Sequence, residues 1–539
     1  VVRDPCLPKT AWPPTWKEGD SLIEKLSLCD NKDKAIVVCN EIERFGRKWI
    51  SLIKSGFERI INGIELINAG YFEIYFHINT YEYDIDEDLE DNKFVLDSKI
   101  KEKLNQREPY EGFIMAAEEH KRNGNYLLAY DYYYMAYKEK NSIEVRLKLS
   151  DLRKKIDFTT LTDYEIVNSL QKIISLNFYG RSGSIYCGAL LEGHSKILTL
   201  PSGIVYSPYI KIYSLFFRNR GNVSIDEIIE ELCDFSMKIK DEFSECISIK
   251  TNKNDIFYPE KYEENMKITL KKLLNEECTK EHGVISEAFL YRALVYSHSK
   301  ALGRQIDLES GVPYILDQQH DNNGKVMLKF INFFEYNRVL LTVRNICQNI
   351  GSMMEMMERQ KLYLPQKIIN LFKYFAFNSN LINLSRKHYV FFVQIEKINI
   401  SSKETLKKLC SILYIEYEQI LAQPSLNGYK FYDSYGDGKF YYGSRKSGIN
   451  KKYDKYFSDN DRLRLEKMYF PLLCAMGYIE NNVEFENIDW ELDFCFFKRL
   501  IFCNDKDEEK YRNYIKRICK EILDRKKEIE NYLSNTEVI

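Results

Sequence analysis

The period of the apolar positions divides this chain into three regions. From residue 1 to about 165 the spacing is mostly helical. There, Gly124-Asn125-Tyr126-Leu127-Leu128-Ala129, followed by Tyr133 and Ala136, sets small and aromatic residues where two helices of a hairpin would touch. With Ala116 and Ala117 on the first helix, the spacing fits a tetratricopeptide-type hairpin and an ordinary one equally well. A stacked array takes about three such repeats, and only one copy stands out here. Upstream, Tyr71 to Ile78 reads either as a strand or as an aromatic-rich helix, and the acidic run Asp84 to Asp91 as a solvated loop. From about 166 to 480, short apolar runs alternate with helical stretches, the pattern of a parallel α/β sheet. Ile173-Ile174-Ser175-Leu176, Val339 to Val343 and His388 to Ile395 are the strand candidates. Past 480 the spacing is helical again, and the charge of Asp505 to Tyr532 predicts an exposed terminal helix.

One junction between these periods carries chemistry. The apolar run ending at Leu176 is followed by the turn Gly180-Arg181-Ser182-Gly183-Ser184, and then by Ile185 to His194 at helical spacing. A strand, a glycine-containing turn and a helix aim backbone N–H groups and a helix N-terminus at a bound phosphate or sulfate. Arg181 adds a planar donor fork for such an anion, and the hydroxyls of Ser182 and Ser184 add further donors.

Composition sets modest limits. With 539 residues, 45% hydrophobic and 29% charged, the chain reads as globular, with two or three cores. A net charge of −2 gives no reason to expect nucleic-acid partners or adsorption to acidic membranes. No stretch approaches the roughly 18 uninterrupted apolar residues of a membrane helix, and the start, VVRDPCLPKT, does not read as a signal peptide. Thirteen scattered Cys without a Cys-x-x-Cys pair read as reduced core thiols of a cytoplasmic protein. Seven His without Cys/His clustering give no metal site.

Gly180 to His194, GRSGSIYCGALLEGH, resembles the 5′-phosphosulfate loop and following helix of sulfotransferases that use 3′-phosphoadenosine 5′-phosphosulfate (PAPS). Leu190-Leu191-Glu192-Gly193-His194-Ser195 is similar to that family's Leu-Leu-Asp-x-His-Pro-like segment. A second resemblance follows the strand Val339 to Val343. The family reads the 3′-phosphate with an Arg at such a strand's end and a Ser eight residues later on the next helix, the separation of Arg344 and Ser352. Third, Gln394 to Ile398 with Glu404 to Cys410, and then Leu421 to Gly428, look like the strand, helix and loop that close the family's core. Arg445-Lys446-Ser447-Gly448 is similar to its late basic–glycine loop over the 3′-phosphate.

The resemblance implies an α/β fold: a parallel-sheet, P-loop-like sulfotransferase core over 166–480. The resemblance does not cover the rest: helical spacing alone predicts a mainly helical region, tetratricopeptide-like or ordinary, over 1–165 and a helical C-terminal extension over 481–539. It also implies sulfuryl transfer from PAPS to a hydroxyl, without a metal. Arg181, with the N–H groups of Ser182, Gly183, Ser184 and Ile185 beyond Gly180, would hold the 5′-phosphate as charge grows on it; Arg344, Ser352, Arg445, Lys446 and Gly448 would hold the 3′-phosphate. Ile185 departs from the family's hydroxyl at that place and offers only its N–H, and Thr199 to Tyr206 lacks the carboxylate many relatives use as a base. His320, oriented by Asp317 or Asp321, is the best substitute, set against a loop or core histidine; Gln318 stands near the place of a family Lys. His194 and Glu192, at the far end of the helix, read as packing or capping groups.

Two other functions compete with this one. A P-loop kinase is opposed by a turn too short for Gly-x-x-x-x-Gly-Lys-Ser/Thr. A sulfotransferase-like module that binds without turnover is favoured by Ile185 and the missing carboxylate, and opposed by Arg181, Arg344 and Ser352. The expected acceptor is a hydroxyl of a carbohydrate, peptide or other molecule, with a polysaccharide or protein suggested by the helical region, which would also hold a protein partner.

Overall fold

The computed structural model describes residues 96–178, 182–200, 209, 212, 224–233, 261–281, 284–318, 330–359, 379–385, 388–426, 429–430, 432–434, 440–442, 454, 456–480, 513, 517, 520–522 and 524–539. All of them belong to one compact unit, Lys93–Ile212 with Ser224–Ile539. The segments 71–78 and 84–91 lie outside the described residues.

The described chain begins with helices α1 (Ser98–Leu104), α2 (Tyr110–Arg122), α3 (Tyr126–Glu139), α4 (Ile143–Arg153) and α5 (Asp163–Ser169). The α2–α3 hairpin forms because its turn is built for reversal. Gly124 takes φ 76°, and the N–H of Asn125 reaches back to His120 O at 2.8 Å, satisfying a carbonyl the helix end would leave open. Ala116, Ala117, Ala129 and Ala136, all fully buried, let the two helices approach closely. At α5 the chain starts a helix with a capping box, Thr162 and Glu165 each bonding the other's backbone N–H.

Six strands then make one parallel sheet: β1 (Lys172–Phe178), β2 (Ile197–Leu198), β3 (Tyr314–Gln318), β4 (Tyr336–Val343), β5 (Val390–Gln394) and β6 (Thr536–Val538), in spatial order β6-β5-β4-β1-β3-β2. Every residue of β3, β4 and β5 is buried, as expected for a parallel sheet covered on both faces. The register sets Ile174 beside Leu316 on one side and Arg338 on the other. Side chains alternate, so Ile174, Leu176, Leu316 and Leu340 share a face, and they join Phe113, Tyr132 and Tyr133 of the hairpin in a single core. Between the layers, the buried Lys172 ammonium lies 2.9 Å from the Asp131 carboxylate, and the Arg338 guanidinium sits over the rings of Tyr336, Phe391 and Tyr414.

The connecting helices include α6 (Ser184–Leu191), α7 (Tyr262–Lys280), α8 (Glu287–Ala301), α9 (Ile346–Arg359), α10 (Ile395–Ile400), α11 (Ser402–Ile412), α12 (Asp459–Met468) and α13 (Phe470–Ala475). Near the C-terminus the structure adds a buried face and a strand to the exposed helix expected there. Helix α14 (Lys526–Leu533) buries Ile529, Tyr532 and Leu533, and the chain then extends into β6. The ladder is anchored by Val390 N–H on Asn535 O and Ile539 N–H on Phe392 O, both at 2.9 Å. Among the described residues the cysteines, Cys187, Cys233, Cys278, Cys347, Cys410 and Cys474, are thiols, and burial pushes those of Cys187, Cys347 and Cys410 up to about 12. No helix among the described residues is long and apolar enough to cross a membrane.

Candidate functional site

Adjacent strands β1 and β4 send their chains in opposite directions. From β1 the path runs through α6 to β2 at one edge of the sheet; from β4 it runs through α9 to β5 on the other side. Right-handed crossovers therefore place α6 and α9 on opposite faces, and α6 packs with Leu176 and Leu340 on the hairpin side. Where outgoing connections diverge, an open parallel sheet usually seats a ligand in a crevice beyond the carboxyl ends of the two strands.

One wall of this crevice is the turn into α6. Gly183 takes φ 81°, a left-handed conformation that costs a residue with a Cβ, and a Cβ there would lie 2.6 Å from Cδ1 and Cγ1 of Ile395. The helix ladder begins with Cys187 N–H on Gly183 O at 3.0 Å, so the N–H groups of Ser184 and Ile185 are among those the helix leaves over. Ile185 itself is half-buried against the core and presents only that N–H.

The two serines differ in a way their spacing does not reveal. Ser182 Oγ lies 2.8 Å from Thr342 Oγ1, and Thr342 Oγ1 donates to Asn177 O at 3.2 Å. A carbonyl only accepts, so the Thr342 proton is spent on Asn177 and the Ser182 hydroxyl is the donor to Thr342. Ser184 is the reverse case: its Oγ accepts from Gln318 Nε2 at 2.7 Å, which leaves its own proton to donate elsewhere. The sequence predicts that both hydroxyls face an anion; in the structure the Ser182 hydroxyl donates to Thr342, while the bond from Gln318 leaves the Ser184 proton uncommitted to that partner.

Arg344 and α9 form the other wall. Asn345 is the N-cap, its Oδ1 accepting from Cys347 N at 3.1 Å and Gln348 N at 3.4 Å. Asn345 N–H in turn donates to Glu396 Oε1 at 3.1 Å, and Tyr478 Oη donates to Glu396 Oε2 at 2.6 Å. Glu396 thus pins the turn that carries Arg344 from the helix after β5, a role that its place in the sequence did not suggest. Arg344 Nε lies 3.4 Å from Gln348 Oε1, and among the described residues no carboxylate comes within salt-bridge distance of the guanidinium. Ser352, nearly buried, is in the second turn of α9 rather than at its start, about 9 Å along the axis from the first helical residue.

Asp317 pairs in register with Ser175, so it faces away from the α6 turn; it is fully buried and accepts from Tyr291 Oη of α8 at 2.5 Å. Its neighbour Gln318 is the β3 residue that meets the turn, and strand alternation carried on from Tyr314 would have found it. His194 is a packing group: Nδ1 accepts from Lys196 N at 2.9 Å, which leaves Nε2–H to donate to Glu416 O at 2.7 Å. Glu192 is buried and accepts from Ser425 Oγ at 2.7 Å. Gly180, Arg181, His320, Asp321, Arg445, Lys446 and Gly448 lie outside the described residues. Among the described residues no group of three or more His, Cys, Asp or Glu is placed to hold a metal.

No protein-family model matches the chain, and no curated protein matches it. Among solved structures, it is similar to the sulfotransferase domain of the Synechococcus PCC 7002 olefin synthase at 15% identity, over 47% of this chain and 76% of that one, with a TM-score of 0.27. It is also similar to a sulfotransferase of Mycobacterium avium at 9% identity, over 55% of this chain and 73% of that one, with a TM-score of 0.26.

Proposed function

We propose that the chain transfers a sulfuryl group from PAPS to a hydroxyl acceptor. The observation that carries this reading is the pairing at the β1/β4 crevice. Among the described residues, a glycine turn with N–H groups that its helix leaves over stands on one strand, and on its neighbour stands an arginine with no carboxylate in salt-bridge range. Two anion-binding walls on adjacent strands suit a ligand with two separate phosphate-like groups. The sequence resemblance around Gly180–Ser195 and Arg344–Ser352 selects a 3′-phosphorylated phosphosulfate among such ligands.

In the reaction the acceptor oxygen forms a bond to sulfur while the bond between sulfur and the 5′-phosphate oxygen breaks; the acceptor proton passes to a base, and adenosine 3′,5′-bisphosphate leaves. The protein's share is positioning and charge stabilisation. Arg181, the N–H groups of 182–185 and the Ser184 hydroxyl hold the 5′-phosphate as it gains charge, and a donor of this kind is typically worth about 3–4 kcal/mol in the barrier. Arg344 and Ser352, with the 445–448 loop, distinguish the 3′-phosphate. His320 is the candidate base, and the helical region ahead of β1 favours a polysaccharide or protein acceptor.

Replacing Arg344 with Ala is expected to weaken binding of adenosine 3′,5′-bisphosphate ten- to hundredfold, about 1.5–3 kcal/mol for one charged contact. Because no ion pair among the described residues is broken, the melting temperature should hold. Calorimetry showing unchanged affinity would remove Arg344 from the site.

A module that binds the nucleotide without turnover is the second reading, favoured by Asp317 turning toward Tyr291 rather than the turn. Labelled sulfate transfer from PAPS into a panel of sugars, peptides and small alcohols separates the two: bisphosphate binding with no transfer into any acceptor would support the module.

A further inference from the structure

Thr342 stands where the two walls meet. It is fully buried on β4, two residues before Arg344, and its hydroxyl closes a chain that runs from Ser182 Oγ through Thr342 Oγ1 to Asn177 O. Both hydroxyls of this chain are removed from water, Ser182 being 1% exposed and Thr342 0%. The direction of donation is fixed at the carbonyl end, so the Ser182 proton points down into the sheet. Ser182 is therefore tied to β4 by its side chain, and what it offers a ligand is its backbone.

From this geometry we infer that Thr342 is a positioning residue: it holds Ser182 so that the N–H groups of the 182–185 turn face a phosphate, and it fixes this turn relative to Arg344. The inference rests on the proposed nucleotide ligand and deepens it by assigning the Ser182 hydroxyl an internal task. Gly183 makes such a tie useful. A glycine at φ 81° has more conformational freedom than any other residue, and the side-chain bond one residue before it restricts the turn without filling the crevice.

The test measures affinities of three ligands, adenosine 3′,5′-bisphosphate, adenosine 5′-phosphate and adenosine 3′-phosphate, for the wild-type chain, Thr342→Val, Thr342→Ser, Ser182→Ala and the Ser182→Ala/Thr342→Val double variant. Valine keeps the shape and removes the hydroxyl; serine keeps the hydroxyl. Thr342→Val is expected to weaken the two ligands that carry a 5′-phosphate by about tenfold and to leave adenosine 3′-phosphate within about twofold. Thr342→Ser should retain wild-type affinity. Ser182→Ala should match Thr342→Val, and the double variant should be no weaker than either single one, because both remove the same tie.

Equal losses for all three ligands would overturn the inference, since they would mark a general loss of structure. So would unchanged affinity in Thr342→Val, or full additivity in the double variant. Should Thr342→Val fail to fold, Ser182→Ala with Thr342→Ser carries the same comparison. A wild-type chain that binds none of the ligands would sink the nucleotide reading itself, whereas binding with no selectivity between variants would sink only the role of Thr342.

Discussion

Gly183→Ala is expected to cost the fold about 2–5 kcal/mol and to abolish measurable binding of adenosine 3′,5′-bisphosphate. Two independent penalties meet at this position. An alanine at φ 81° pays the left-handed strain that glycine escapes, about 1–2 kcal/mol. Its Cβ would also sit 2.6 Å from Cδ1 and Cγ1 of Ile395, closer than carbon atoms approach, so the buried Ile395 side chain, α10 or the turn must move. A double-mutant cycle separates these contributions. In Gly183→Ala/Ile395→Ala the overlap is gone while the strain persists, so the double variant should be less destabilised than the two single effects summed, by about 1–3 kcal/mol. Strict additivity in thermal unfolding would show that Ile395 does not press on the turn. Binding should stay lost in the double variant, because the direction of the N–H groups depends on the backbone and not on the relief of the contact.

Asp131→Ala should destabilise the protein by about 3–5 kcal/mol, the usual result of stranding one member of a buried ion pair. The Asp131 carboxylate accepts from Lys172 Nζ at 2.9 Å and from the N–H of Val312 at 2.8 Å, so one truncation leaves a buried ammonium and a buried amide without their partner. Burial already pulls the Lys172 pKa below its ordinary value, with Asp131 opposing the shift. Losing Asp131 deepens the depression. The sign then follows: between the lowered folded value and the ordinary unfolded value the unfolded chain binds more protons, so stability rises with pH across that window. The deficit of Asp131→Ala relative to wild type should be largest near neutrality and shrink as pH climbs toward about 10. Asp131→Leu/Lys172→Met, which removes both charges, should recover most of the loss. A melting curve for Asp131→Ala that matches wild type at pH 7 would contradict the account.

Much of the sheet was legible in the amino-acid sequence. β1, β4 and β5 announce themselves as apolar runs bounded by turns, because strands buried on both faces leave no room for polar alternation. β3 was hidden by Asp317 and Gln318, two polar residues that the fold buries by giving each a specific partner, Tyr291 and Ser184. β2, with two residues, is too short to carry a period. β6 lies behind a highly charged helix and contributes three residues, Thr536, Glu537 and Val538, whose pairing with β5 no local pattern foretells. At the candidate site, the turn and Arg344 stand out by residue type and spacing. The opposite duties of Ser182 and Ser184 do not, because a hydroxyl rotates to its best partner, and those partners, Thr342 and Gln318, are 160 and 134 residues away. Glu396 was invisible as a support for the same reason: its bond to Asn345 spans 51 residues.

The distance along the chain between β5 and β6 also bears on how this protein is made. The three residues of β6 cover the edge of β5, yet the whole of 395–535 is synthesised between the two strands. While the polypeptide is still emerging from the ribosome, β5 exposes a row of unpaired amides and carbonyls, flanked by Val390, Phe391, Phe392 and Val393. Such an edge is a template for another nascent chain, so the growing polypeptide is most exposed to clumping in the interval between the synthesis of β5 and of β6.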